Sequence, residues 1–330
     1  MDLNKNAWKL IEKLLEDAGD LMISHTEQDG AILIDAGMSV PGSIEAGILV
    51  TKICLGGYGA VTVDTHDTEL SPLGKINVMI EDRPAIPTLA SQFAGWRVKR
   101  KYLKIKEGKE KEKTYFAMGS GPARSIPKEP KNLYEKLEYE EQSTKAVLVL
   151  ETSKSPPKEA IDYVLGKTQV DSGNLAIVCA PTNCLVGSVQ IAGRIVETAI
   201  HKAKEVGLNP QKISHGEGTA PVAPIAKDPT VAMGITNDAI IYHGQAKLEV
   251  SGVSEEDLAK ITAKTASSSS RDYGKPFFEI FKEANYDFFK IDAGLFAPAK
   301  ILIRNLDTNV EHVAGELNSE VLRRAFQAVE

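Results

Sequence analysis

Hydrophobic positions recur along this chain at two periods, and the change from one to the other sketches the elements. Leu3, Trp8, Leu10, Ile11, Leu14, Leu15 and Ala18 fall mostly along one stripe of a 3.6-residue repeat, which predicts an amphipathic helix docked on a sheet or another helix. Ala31–Asp35, Ala60–Asp64 and Lys75–Ile80 predict strands. Ser43–Cys54 predicts a helix, with Gly56 and Gly57 just past its end where a left-handed cap belongs. Pro87–Trp96 opens like a helix with proline in its first turn. The strongly apolar Ala146–Glu151, a helix ending near Gly166 and a buried strand at Leu175–Cys179 form a strand–helix–strand unit. After the polar turn Ala180–Asn183, a helix is expected from about Gly187 to Val206. It places Val189, Ala192, Val196, Ala199, Ile200 and Ala203 on one side and Gln190, Arg194, Glu197 and His201 on the other. An Arg and a Glu three apart on such a face are ordinarily a solvated ion pair contributing ~0.2–0.5 kcal/mol.

Further along, Asn209–Thr236 is rich in Gly, Pro and His and reads as a loop near a pocket. Asn237–Val250 reads as two strands turning at His243-Gly244. Helices follow at Glu255–Thr265, Pro276–Ala284 and Asn318–Val329, and strands at Asp287–Ile291 and Ala299–Arg304. The serine run Ser267–Ser270, set among aromatic and charged residues, predicts an ordered loop. Arg97–Lys113 carries nine Lys/Arg and three Glu; it reads as an exposed hairpin turning at Glu107-Gly108, against the alternative of a basic arm for a polyanion.

A length of 330 residues suggests two domains, and the Pro-, Lys- and Glu-rich Lys128–Glu141 is the best boundary, giving domains 1–142 and 143–330, with room for segments that cross over between them. The net charge of -6 argues against nucleic acid or an anionic membrane as the main partner. The amphipathic N-terminus lacks the apolar core of a signal peptide, and no stretch has the length and apolarity of a membrane span. Three cysteines without a CxxC or Cys/His cluster fit a reducing cytoplasm and give no structural zinc signature. Cys54 and Cys179 lie in apolar runs. Cys184 precedes a helix, where a thiol can be activated, so a nucleophilic role stays open. His215 and Glu217 have ligand chemistry, but H-x-E alone is a weak metal signal. In Tyr115–Arg124 (YFAMGSGPAR), the turn Gly119, Ser120, Gly121 followed by Arg124 is a candidate anion cradle: successive N–H groups and a guanidinium suit a phosphate. A plain turn is the competing reading.

Several stretches together resemble the archaeal methenyltetrahydromethanopterin cyclohydrolases. They are AGWRV (Ala94–Val98), YFAMGSGPAR, ETSKSPP (Glu151–Pro157), GSVQIAGRIVETA (Gly187–Ala199), TNDAIIYHG (Thr236–Gly244) and the long motif Ser267–Ala299, whose SRDYGKPF and LFAPA are the most specific. The resemblance spans nearly the whole chain. It implies an α+β or α/β fold of two side-by-side domains, each a β-sheet flanked by helices, with a ligand cleft between them. It implies a cytoplasmic homotrimer of one-carbon metabolism and methanogenesis that interconverts 5,10-methenyl- and 5-formyl-tetrahydromethanopterin. No metal and no redox cofactor is implied; the pterin is the substrate.

Carried onto GRIVE, the resemblance implies Glu197 as general base and acid, with Arg194 orienting it and its water. The methenyl carbon lies between two nitrogens in an amidinium-type cation. It is already electrophilic, and a carboxylate that takes a proton from the attacking water suffices. For the phosphate and carboxylate-bearing tail of the substrate, Gly119, Ser120, Gly121 and Arg124 are one candidate group, and Ser270 with Arg271 another. Tyr242 and His243 are further pocket candidates. Phe277, Phe278 and Phe281 have the chemistry to stack on a pterin, but their helical spacing favours the core. Two other readings remain at this level: a phosphate-ligand enzyme using Cys184, and an inert pterin-binding scaffold.

Overall fold

The computed structural model describes residues 1–66, 70–106 and 109–327. In chain order the elements begin with α1 (Leu3–Glu16), β1 (Ser24–Gln28), β2 (Ala31–Asp35), α2 (Ile44–Cys54), β3 (Ala60–Asp64), β4 (Lys75–Ile80), β5 (Trp96–Lys106) and β6 (Lys109–Ser120). There follow α3 (Lys131–Leu137), β7 (Ala146–Glu151), α4 (Lys158–Thr168), β8 (Leu175–Cys179), α5 (Leu185–Ala192), α6 (Ile195–Glu205) and β9 (Ile213–Pro221). The chain continues with α7 (Pro229–His243), β10 (Gln245–Val250), α8 (Glu255–Thr265), α9 (Phe277–Glu283), β11 (Lys300–Asn305), β12 (Glu311–Gly315) and α10 (Ser319–Gln327). Two compact units result, one of Met1–Tyr58 with Ala90–Gly187, the other of Gly59–Leu89 with Ser188–Glu330.

The first unit is built on a sheet ordered β1-β2-β8-β7-β6-β5. Its central strands β2, β8 and β7 run parallel. β8 is buried at every position and β7 at all but Glu151. That continuous apolarity is what a strand covered on both faces needs. Ile11 and Leu14 of α1 and Val50 and Ile53 of α2 pack with Ile34, Val147, Val149 and Val178. Ile161 and Val164 of α4 pack with Leu33, Leu148, Leu150 and Ile177, which point the opposite way. The helix expected from Ser43 is present: the Ser43 hydroxyl accepts from the Ala46 N–H at 3.0 Å, and Gly56, at φ 63°, takes the left-handed conformation just beyond its end. Asn4 is wholly buried. Its Oδ1 accepts from Val147 N–H at 3.1 Å and its amide donates to the Pro122 carbonyl at 2.9 Å. One side chain thereby ties α1 to β7 and to the turn after β6.

The second unit is built on a sheet ordered β12-β11-β10-β9-β4-β3, parallel only between β10 and β11. Its strands alternate between buried and more accessible positions, as in β4 and β10. One face is the core: Ile76, Val78, Leu248, Ile301 and Ile303 are buried there. α6 lies close against this face because β9 offers glycines. A Cβ on Gly216 would come within 2.9 Å of Val196, and one on Gly218 within 2.9 Å of Ile195. The opposite face stays accessible.

Five expectations are corrected. The division after residue 142 falls inside the first unit; the units are discontinuous, because β4, within residues 59–89, pairs with β9 in the second sheet. Asn237–His243 is helical, being the end of α7, whose N-terminus is capped by Asp228 with Pro229 in the first position. The first half of the expected loop 209–236 is strand β9, and 288–290 is a 3₁₀ turn rather than a strand. The stretch beginning at Pro87 belongs to a π-helical turn, Ile86–Gln92, that ends before β5. The basic run is a hairpin, β5 with β6 in register from Trp96↔Gly119 to Lys106↔Lys109; the turn expected at Glu107-Gly108 lies outside the described residues. Among the described residues no helix is long and apolar enough to cross a membrane.

Candidate active site

The helix expected from Gly187 to Val206 is two helices, broken at Gly193-Arg194. Gly193 N–H closes α5 onto the Val189 carbonyl at 2.9 Å, and Arg194 N–H reaches back only three residues, to Ile191 at 3.0 Å. Arg194 sits at φ -82° and ψ 3°, outside regular helix geometry, and its carbonyl starts α6 by accepting from Thr198 at 2.8 Å. Glu197 therefore lies in the first turn of a helix, a position suited to a carboxylate because the unsatisfied N–H groups carry partial positive charge.

The side chains of Gln190, Arg194 and Glu197 meet across this break. An Arg194 guanidinium nitrogen is 3.8 Å from Glu197 Oε2, and another donates to Gln190 Oε1 at 3.2 Å. Arg194 is 13% exposed at its side chain and Glu197 7%. These values remove the reading of a solvated surface pair. His201, one turn beyond Glu197, is half-buried; burial first, and Lys204 second, lower its imidazole pKa. The arrangement holds a carboxylate and a planar cation in a place poor in bulk water, with a neutral amide steering the cation. It can accept a proton from a water and return it.

The remaining candidates fare differently. Arg124 is wholly buried, and its guanidinium donates to the backbone carbonyls of Ser91 at 3.1 Å and Glu129 at 2.8 Å. Its Cζ lies 5.4 Å from the Phe93 ring centroid. The Gly121 N–H is used by the Ser91 carbonyl, and Gly119 pairs with Trp96 in the β5–β6 ladder. Ser120 is buried and faces Cys54 at 3.6 Å. The anion cradle is thus a structural turn, with Arg124 a pillar beneath it. Tyr242 is fully buried; its hydroxyl donates to the Lys275 carbonyl at 2.5 Å and accepts from Gly274 at 3.2 Å, which makes it a fixture of the core. His243 is half-buried and shares a 2.9 Å hydrogen bond with Ser319. Phe277 and Phe281 stack within the core, as expected, whereas Phe278 is only half-buried. Cys184 is buried, and burial pushes its thiol up to about 11 although Gly187 N–H donates to it, so the nucleophile reading loses its physical basis.

The loop Ser267–Asp272 is ordered by Asp292, which sequence reading missed. Its carboxylate accepts from Ser270 Oγ at 2.7 Å, from Arg271 N–H at 3.3 Å and from Gly294 N–H at 2.9 Å; its own N–H donates to Asp272 at 2.7 Å. Burial acts to raise the Asp292 carboxyl, but the hydrogen bonds from Ser270, Gly294 and Arg271 outweigh it and hold it below the ordinary range. The signal was present as an Asp two residues before a Gly, an Asx-turn spacing. Arg271 itself is exposed, with its guanidinium donating to the Lys290 carbonyl at 3.3 Å. His215 and Glu217 stand on one face of β9, 3.7 Å apart, and no group of three His, Cys, Asp or Glu among the described residues is arranged to hold a metal.

The profile of a family described as Cyclohydrolase (MCH) matches residues 2–326. The chain belongs to this cyclohydrolase family. Proteins named methenyltetrahydromethanopterin cyclohydrolase are similar to it over almost their full length. That of Methanocella arvoryzae is 40% identical over 327 residues, covering 99% of this chain and 98% of the relative. That of Methanocaldococcus jannaschii is 41% identical over 329 residues, with the same coverage. As a cyclohydrolase the chain is an enzyme, and the buried carboxylate–guanidinium pair at the α5–α6 break is its candidate catalytic centre.

Proposed function

We propose that this cyclohydrolase hydrolyses the 5,10-methenyl cation of tetrahydromethanopterin to the 5-formyl compound, and the reverse, with Glu197 as general base and acid. The burial of Glu197 beside Arg194, within a chain similar end to end to named cyclohydrolases, carries the reading. Water attacks the methenyl carbon, and Glu197 takes one of its protons. The carbinol so formed then loses its O–H proton as the carbon–N10 bond breaks, and N10 leaves with a proton from Glu197. The balance is one water consumed and one proton released.

Arg194 orients the carboxylate, because its fork reaches Glu197 on one side while Gln190 holds it on the other. The exposed guanidinium of Arg271, on a loop fixed by Asp292, is the favoured anion contact for the substrate tail, in place of Arg124, which is committed to carbonyls. The resemblance extends the proposal to a homotrimer in the cytoplasm that uses no metal or redox cofactor.

The test is direct. Purified protein mixed with the methenyl substrate should discharge its near-ultraviolet absorbance without added metal or nicotinamide. Glu197→Gln should lose at least about a hundredfold in kcat, in the range of a general acid–base contribution, while melting near the parent temperature. Near-parental turnover by a folded Glu197→Gln protein would end the assignment. Binding by the parent protein without any spectral change would leave only a scaffold.

A further inference from the structure

The hairpin β5–β6 outruns the sheet it belongs to. Among the described residues β6 pairs with β7 over Met118, Gly119 and Ser120 alone, and the rest of the two strands forms a ribbon. Strand alternation sorts the charges that the sequence presents mixed. One face carries Arg100, Tyr102 and Lys104 opposite Tyr115, Lys113 and Lys111. The other carries Lys99, Lys101 and Leu103 opposite Phe116, Thr114 and Glu112, with Glu110 two residues before Glu112 on the same side. On this second face a base is answered by an acid, Lys101 to Glu112 at 2.8 Å. On the first face Lys104, Lys111 and Lys113 are exposed, and none of them pairs with a carboxylate among the described residues. Lys104 stands directly opposite Lys111, and like charges so placed weaken a strand pair unless an anion stands between them. Where the ribbon meets α4, Arg100 lies over the Tyr163 ring, its Cζ 3.4 Å from the centroid, and Glu129 is taken up by Lys167 at 2.9 Å.

We propose that this basic face of the β5–β6 ribbon binds the phosphate chain of a single-stranded nucleic acid. Its bases follow a line: Lys104 to Arg100 spans ~14 Å at ~3.4 Å per residue, with Lys111 and Lys113 alongside on β6. Tyr102 sits among them, half-buried, with a ring on which a base can stack. An anionic membrane calls for apolar side chains beside the bases. The exposed ones here, Leu103 at 61% and Phe116 at 54%, are on the other face. A folded acidic protein calls for area. The basic face measures ~14 Å by ~10 Å, far below the roughly 800 Å² per partner of a stable protein interface. The net charge of -6 repels a polyanion over much of the remaining surface, but at ~0.1 M salt that field is screened within about 10 Å, and a ribbon acts as a local contact.

Binding at this face is independent of Glu197 and is read without turnover. The probe is fluorescein-labelled oligo(U) of ~15 nucleotides, followed by anisotropy as the whole chain is added. Four bases on phosphates give a slope of about -3 in log K against log salt, so affinity should fall about fiftyfold between ~50 and ~200 mM salt. Lys104→Ser combined with Lys111→Ser should weaken binding at least about tenfold at the lower salt and halve the slope. Arg97→Ser combined with Lys99→Ser removes the same charge from the other face and should change affinity less than about twofold. Both double variants should turn over the methenyl substrate at the parental rate, which reports that they fold. Equal weakening in the two would overturn the proposal, since net charge and not the face would then decide. Absence of binding by the parent protein at ~50 mM salt, where phosphate contacts are strong, would do the same. Capture of phosphatidylserine vesicles or of polyglutamate without capture of oligo(U) would assign the face to a lipid surface or an acidic protein instead, and the proposal would fall.

Discussion

Glu197 and Arg194 are three residues apart, and no counting of charges distinguishes such a pair from the many that stay in solvent. The resemblance singles the pair out, and its burial beside Gln190 supports the proposed role. That amide accepts from Arg194 and so opposes the collapse of the guanidinium onto the carboxylate. A prediction follows at this scale. Gln190→Leu should lower kcat about tenfold, or ~1.4 kcal/mol, with KM changed little, because the cation is misplaced while the binding surface is kept. Gln190→Glu retains an acceptor and should restore most of the loss. Equal losses in both variants, or a loss seen in thermal melting alone, would reduce Gln190 to packing. The candidates Arg124 and Tyr242 show what sequence hides at this scale. A polar group named for its chemistry can be consumed by backbone carbonyls that only the fold brings near, as Ser91, Glu129 and Lys275 are.

Elements were legible where a boundary residue announced them. Ser43 at the start of α2 and Gly56 past its end did so, and β8 was read with its observed limits. They were illegible where two periods compete. The segment 237–243 has the β-branched and aromatic residues of a strand, and only its capping Asp228-Pro229, several residues upstream, marks it as part of α7. The break between α5 and α6 was likewise hidden, because a glycine inside a helical pattern is tolerated.

α9 is a short helix whose first N–H, from Phe277, is bound by the fully buried Asp238 at 2.8 Å. Burial raises the Asp238 carboxyl well above its ordinary value. The folded protein therefore keeps this proton where the unfolded chain has lost it. The contribution of Asp238 to stability is greatest below the unfolded value, near 3.8, and declines as pH rises from there through the folded value. Asp238→Asn keeps an acceptor for Phe277 and removes the titration. Its melting temperature relative to the parent should rise steadily between pH 4 and pH 7 in calorimetric scans. A difference that is flat across this range would contradict the assignment.

For the whole molecule, two units were expected and are present, but the first runs past residue 142 to Gly187, and residues 59–89 belong to the second. The hydrophobic pattern tells which side of a strand is inside; it carries no label for which sheet the strand joins. β3 and β4 precede most of the first unit in sequence, but β4 pairs with β9 and β3 with β4. The consequence is testable by truncation. A fragment of residues 1–142 lacks β7 and β8 from the centre of its sheet, and a fragment of 143–330 lacks β3 and β4. Neither should give the dispersed amide spectrum of a folded domain alone. Independent folding of either would mean that contact between the discontinuous segments is dispensable.

That same discontinuity sets a schedule for biosynthesis. β4 leaves the ribosome long before its partner, since Ile80 pairs with Gly216. At ~5–20 residues per second of elongation, the β3–β4 hairpin waits on the order of ten seconds for β9. Over that interval both faces of the hairpin, Ile76 and Val78 on one and Met79 on the other, are open to solvent. The first unit, complete at Gly187, can meanwhile close around a loop that holds the early strands of the second. The connectivity of this chain therefore nests its assembly, with the piece made early finished last, and the unpaired hairpin is the segment that a chaperone has most reason to hold.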